Sequence, residues 1–162
     1  MVFLEMKKKY NGLVNKRRTT IPLQAGYQFV SNGGVVSITE EMNPQVVREI
    51  ACMIQRYDSL EPKAMIAYDR LAYFEKGNPD LRISFDTNIR SRRDNLKLET
   101  GNDGALLVPK GMWLMEIKTA SAAPLWLTDL LAGECIYKKS FSKYGCEYKA
   151  YLSYYKEDCY YA

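Results

Sequence analysis

The sequence predicts an antiparallel α+β domain, assembled mostly from strand hairpins with helices inserted between them. Three observations carry this. Period-two alternation runs through Met1 to Tyr10 and returns over 63–74 and 81–91. Turn signals, Asn11-Gly12 and Gly77-Asn78-Pro79-Asp80, stand where such stretches would fold back. Residues 44–57 instead carry apolar side chains at helical spacing behind an Asn-Pro start. With 162 residues, the chain is expected to form one domain over 1–162 with a core of its own.

In the first hairpin, Leu4 and Met6 point to one side, and Glu5, Lys7 and Lys9 to the other. Asn-Gly is the strongest short hairpin signal, because a type I′ turn needs positive φ at both central residues. A two-residue loop there pairs Tyr10 with Leu13, Lys7 with Lys16 and Glu5 with Arg18 on a shared face. After Pro22, "LQAGYQFV" reads as a short helix stopped by Asn32-Gly33-Gly34. Asn43 then caps a second helix with Pro44 in its first turn, and Val46, Val47, Ile50 and Ile54 form its buried stripe.

"KAMIAYDRLAYF" and "LRISFDTNIRS" make the next hairpin. Tyr68, Arg70 and Ala72 share one face of the first strand. Arg82, Ser84, Asp86, Asn88 and Arg90 are expected on one face of the second, with Ile83, Phe85 and Ile89 opposite. Turn residues 101–104 lead to "WLMEIKTA", which holds Glu116 and Lys118. Pro124 opens a short apolar helix ending near Gly133, and "SFSKYGCEYKAYLSYYK" reads as a loop feeding a tyrosine-rich helix.

Composition removes several classes of function. The chain has no histidine, which excludes a Ser-His-Asp triad, a Cys-His dyad and a His-containing zinc finger. Cys52, Cys135, Cys146 and Cys159 lack paired CxxC spacing and read as reduced thiols of a cytoplasmic protein. No apolar run is long enough to span a bilayer, and the early lysines follow rather than precede the short apolar start. Net charge is only +4, from 23 basic and 19 acidic residues, so the placement of the cations matters more than their sum.

That placement is unusual. Lysines opposed across a sheet repel each other, yet the first hairpin puts Lys7, Lys9, Lys16 and Arg18 on one face. Four strands carry basic residues at period-two positions. Each stripe taken alone is the wet side of an antiparallel sheet. If the sheet instead curls so that the stripes face inward, the cations line a cavity fit for a run of phosphates, bound by side chains because no Walker-A pattern is present. Glu5-x-Lys7 and Glu116-x-Lys118 read individually as ion pairs. Among clustered arginines they read as ligands of Mg²⁺ or Mn²⁺, which accept carboxylate and phosphate oxygen together.

"LEMKKKYNGLVNKRR", "AYDRLAY" with "LRISFDTNIR", "LMEIK" and "SFSKYG" occur in the order found in the VTC domain, a family of polyphosphate polymerases in the triphosphate tunnel (CYTH-like) superfamily. The resemblance implies an antiparallel β-barrel-like tunnel with helices packed outside. The chain looks N-terminally shortened, lacking the family's first basic strand and hairpin, so the tunnel wall is expected to be incomplete. It further implies transfer of the terminal phosphoryl group of ATP to polyphosphate with Mn²⁺ or Mg²⁺. Carried over by position, Lys7, Lys16, Arg18, Arg70, Arg82 and Lys118 are the catalytic phosphate-gripping cations. Ser142 and Lys143 match the family's Ser-Lys near the tunnel's end and Tyr68 its Tyr-x-Arg strand; with Lys9 and Arg90, taken from the basic stripes themselves, they are the expected substrate-binding positions. Glu116 and Glu5 are the metal ligands. The partners are ATP and polyphosphate, with no nucleic acid and no membrane segment. Two alternatives keep the same face: triphosphate hydrolysis, and polyphosphate or nucleotide binding without catalysis. A nucleic-acid-binding sheet using Tyr68, Tyr73 and Phe85 for stacking is the remaining one.

Overall fold

The structure is a computed structural model that describes residues 1–57 and 60–158. Cys159 therefore lies outside the described residues. The chain divides into two compact units, residues 1–62 and 63–162.

In the first unit, β1 (Val2–Tyr10) and β2 (Leu13–Ile21) form a two-stranded antiparallel sheet. Asn11 and Gly12 take φ of 47° and 80°, the left-handed pair that a type I′ turn requires. The register follows from that loop: Tyr10 faces Leu13, Lys7 faces Lys16 and Glu5 faces Arg18. Met6 and Ile21 point into the core, where Phe29 of α1 (Leu23–Ser31) meets Val46, Val47, Ile50 and Ile54 of α2 (Pro44–Arg56). Each of these large side chains contributes about 1.5–3 kcal/mol by leaving water.

The start of α2 is fixed twice. The Asn43 side-chain oxygen accepts from the amides of Gln45 (3.1 Å) and Val46 (3.2 Å), while its own amide donates to the buried Thr19 hydroxyl at 2.7 Å. That last bond ties α2 to β2. Gly33, at φ 65°, follows the Asn32 cap that ends α1, and Gly34, at φ 90°, passes so close to α2 that a Cβ would stand 2.8 Å from the Ala51 Cα.

The second unit is built on β4 (Asn78–Arg92). Strand β3 (Met65–Glu75) pairs antiparallel along one edge of it. Along the other edge, β5 (Ala105–Leu106) meets Arg90 and Ser91, and β6 (Leu114–Lys118) meets Arg82 to Asp86. Helices α3 (Leu125–Gly133) and α4 (Lys143–Asp158) follow. Among the described residues the two sheets stay separate, and no closed barrel forms. No helix among them is long and apolar enough to cross a membrane.

Two expectations about β4 need correction. The turn sits at Lys76-Gly77, with Gly77 at φ 82°, and strand pairing resumes at Asn78, earlier than the Gly-Asn-Pro-Asp signal implies. Asn78 itself joins the corner: its side-chain amide donates to Glu75 Oε2 at 2.7 Å, and its oxygen accepts from the Asp80 amide at 3.3 Å. The second correction changes the chemistry of both faces. Ala67 pairs with Arg90 but Asp69 with Thr87, so β4 holds one extra residue there, a β-bulge with Asn88 at φ 49°. Beyond the bulge the alternation inverts. Asn88 and Arg90 therefore do not share a face with Arg82, Ser84 and Asp86.

Two arginines close the far end of β4. Arg92 is nearly buried, and every nitrogen of its guanidinium is used. Nε donates to the Asn95 carbonyl, Nη1 to the Asp103 carbonyl and carboxylate, and Nη2 to Lys97, Thr100 and Gly101. One side chain thus organises the loop from 95 to 103. Arg93 grips the buried Glu147 of α4 through two bonds of 2.6 and 3.0 Å and lies 3.4 Å from the Tyr151 ring centre.

Candidate functional site

The front face of the second sheet carries Tyr68, Arg70 and Phe74 from β3, Arg82, Ser84 and Asp86 from β4, and Glu116 and Lys118 from β6. Cross-strand register sets this arrangement: Arg70 faces Asp86, Phe74 faces Arg82, and Arg82 and Ser84 face Lys118 and Glu116. Lys143, the first residue of α4, reaches the same face.

Asp86 is the centre. It is 1% exposed, and three donors reach its carboxylate: Arg70 Nε at 2.6 Å, Arg70 Nη2 at 2.7 Å and Lys143 Nζ at 2.6 Å. Both cations also lie over the Tyr68 ring, at 4.9 and 4.4 Å from its centre. Burial alone would raise the Asp86 pKa, but the hydrogen bonds from Arg70 and Lys143 prevail and hold it below the ordinary carboxylate range. The same contact, with Asp86 as acceptor, raises the Arg70 pKa further above its already high value.

Around this knot the charges are open. Glu116 accepts from Lys118 at 3.3 Å and stands 3.9 Å from Arg70. Arg82 lies 5.6 Å from the Phe74 ring centre, and its buried Nε has no hydrogen-bond partner. Four cations, Arg70, Arg82, Lys118 and Lys143, thus meet two carboxylates, Asp86 and Glu116. The excess is positive, and it sits beside a donor left unsatisfied. An anion placed here would gain charge-assisted bonds, which are about twice as strong as neutral ones.

Ser142 stands just ahead of α4, and its hydroxyl accepts from the Gly145 amide at 3.1 Å, so it caps the helix that delivers Lys143. Arg90 is elsewhere. Displaced by the bulge, it meets Asp69 at 3.3 Å on the back face and donates to the carbonyls of Asn88 and Asn102. The stacking set divides in the same way: Tyr68 is in front, whereas Tyr73 and Phe85 form an edge-to-face pair, 6.1 Å between centres, behind.

In the first unit Lys7, Lys9, Lys16 and Arg18 share one face of the hairpin with Glu5. Glu5 pairs diagonally with Lys16 at 2.7 Å rather than with Arg18, whose guanidinium lies 4.5 Å from the Phe3 ring centre. The expectation that these stripes turn inward is not met in this unit: all four cations are exposed, and the apolar side of the hairpin fills the core. The reason is energetic. Met6 and Ile21 gain by leaving water, and cations without anions lose by it.

As for a divalent ion, no three Asp, Glu or Cys side chains cluster among the described residues. Glu5 and Glu116 belong to different units, and each has a lysine partner. Glu116 is partly exposed and bonded only loosely, so its oxygens suit a hard ion that takes its remaining ligands from phosphate. The sequence reading left out Asp86 as a site residue, although its place two residues after Ser84 and four after Arg82 was the available signal.

Comparison with known proteins gives one finding. A family model described as VTC domain matches residues 1–152, across both compact units. No curated protein and no solved structure matches the chain.

Proposed function

We propose, since this chain belongs to the VTC domain family, that it lengthens polyphosphate by taking the terminal phosphoryl group of ATP. Membership ties the chain to polyphosphate in general and to a family associated with polyphosphate polymerase activity. The reading of this chain as an enzyme, and of ATP as its donor, is our own. One observation carries it: Arg70, Arg82, Lys118 and Lys143 gather on one sheet face whose Arg82 Nε is buried and unpaired.

In the reaction, a terminal oxygen of the acceptor chain forms a bond to the γ-phosphorus of ATP as the bond to the β-phosphate oxygen breaks, releasing ADP. Such transfers need positioning and charge stabilisation more than covalent help, which suits a site without histidine. Arg70, Arg82 and Lys118 hold phosphate oxygens and offset their charge. Lys143 and Tyr68 orient the chain, with Ser142 fixing the helix end that bears Lys143. Lys7, Lys9, Lys16 and Arg18 offer a further cationic face to phosphates. Glu116 would hold Mn²⁺ or Mg²⁺ on the face of the second unit, an ion that draws charge from the phosphate oxygens when bound, and Glu5 is a separate candidate ligand on the hairpin of the first unit.

Incubation with ATP and Mn²⁺ tests this directly: polymer on a gel is expected. Free phosphate alone would establish the hydrolase instead. A second reading is favoured by the sparse acidic set among the described residues: a polyphosphate-binding module, which would bind the chain and leave ATP intact.

A further inference from the structure

Two like charges rarely stand close together without cause. Arg70 and Lys143 come from a strand and a helix far apart in sequence, yet both end within 2.7 Å of the same carboxylate. Asp86 cannot turn away toward water, being 1% exposed, and it uses both oxygens to hold them. Removing its charge would leave two cations repelling each other across a few ångströms, with partial solvent access to relax into.

From this we propose that Asp86 is the residue that sets specificity for polyphosphate, by clamping Arg70 and Lys143 at a spacing matched to densely packed phosphates. It acts through those two cations and does not itself touch the anion. The inference rests on the polyphosphate reading above. In polyphosphate, neighbouring phosphates share one bridging oxygen; in a nucleic acid a whole sugar separates them. A pair of cations fixed close together rewards the first spacing. Cations free to drift apart reward only total charge. Tyr68, lying under both, keeps the pair from rotating off the face. The second attachment of α4, Glu147 to Arg93, keeps the helix end in place so that Lys143 arrives at a defined point.

The test is equilibrium binding of tripolyphosphate and of a short RNA of equal formal charge, which needs no turnover. The wild-type chain is expected to prefer tripolyphosphate. In Asp86→Asn the preference should fall by about tenfold or more, while affinity for the RNA stays level or rises, since net positive charge increases. A merely structural role would instead weaken both together. Asp86→Glu keeps the charge but moves it by one methylene, so it should fold even if Asp86→Asn does not, and should lower the preference by an intermediate factor. An undiminished preference in whichever variant folds overturns the clamp and leaves the polyphosphate reading standing. A wild-type chain that does not distinguish the two ligands overturns that reading, and the clamp with it.

Discussion

Replacing Arg70 by alanine tests the electrostatics of the site independently of any ligand. At 2.6 Å, with an effective dielectric near 20, the Arg70–Asp86 attraction is about 6 kcal/mol before desolvation is subtracted. Taking one partner from a buried pair costs about 3–5 kcal/mol, because the other is left charged and dry. Lys143 remains on Asp86 and offsets part of this, so Arg70→Ala should cost about 2–3 kcal/mol. The reverse change is cheaper. Asp86→Ala leaves Arg70 and Lys143, whose side chains are 29% and 19% exposed and can reach water, so about 1 kcal/mol is expected. The double variant should fall short of the sum by about 1–2 kcal/mol. Urea unfolding of the three variants measures all of these. If Arg70→Ala proves no more costly than Asp86→Ala, Asp86 is not the desolvated partner, and the account of the front face as a knot centred on it is wrong.

Three further outcomes follow from the same structure. Glu116→Gln keeps the size and the hydrogen-bond acceptor but loses the charge, so Mn²⁺-dependent polymer formation should drop by about 100-fold or more with the melting temperature unchanged; full activity would remove Glu116 from the metal's ligands. The Asp86 pKa is depressed on folding, so its stabilisation is complete above the unfolded value near 3.9 and is lost as pH falls through the lower native value. Stability measured downward from about pH 5 should therefore decline less steeply in Asp86→Asn than in the wild type, and parallel curves would contradict this. Arg92→Lys keeps the charge but lacks the planar fork that reaches Asn95, Lys97, Gly101 and Asp103, and should cost about 2–3 kcal/mol, with amides of 95–103 exchanging faster; unchanged protection there would refute its organising role.

How far the sequence could be read depended on whether a signal was local. The first hairpin was fully legible because Asn11-Gly12 fixes loop length, and loop length fixes register. Helix α2 was legible because Asn43-Pro44 marks its start and Val46, Val47, Ile50 and Ile54 mark its buried side. The inversion at Asn88 was not. Ile89 keeps perfect phase with Ile83 and Phe85 in the sequence, and only the positive φ at Asn88, a residue that tolerates it, breaks that phase in space. The importance of Asp86 was hidden for a different reason. An aspartate on a polar stripe looks like the wet side of a sheet, and what makes it dry is a lysine from α4, 57 positions later. Contacts of that range leave no periodic trace.

The attachment of α4 has a mechanical consequence. Lys143 and Glu147 lie four positions, about one turn, apart, and they are pinned to two different points, Asp86 within β4 and Arg93 just past its end. A rod fastened at two places along one side can neither roll nor slide. Should an incoming anion draw Lys143 from its seat, the fastening at Glu147 would remain as a fulcrum, and the helix tip would tilt rather than detach.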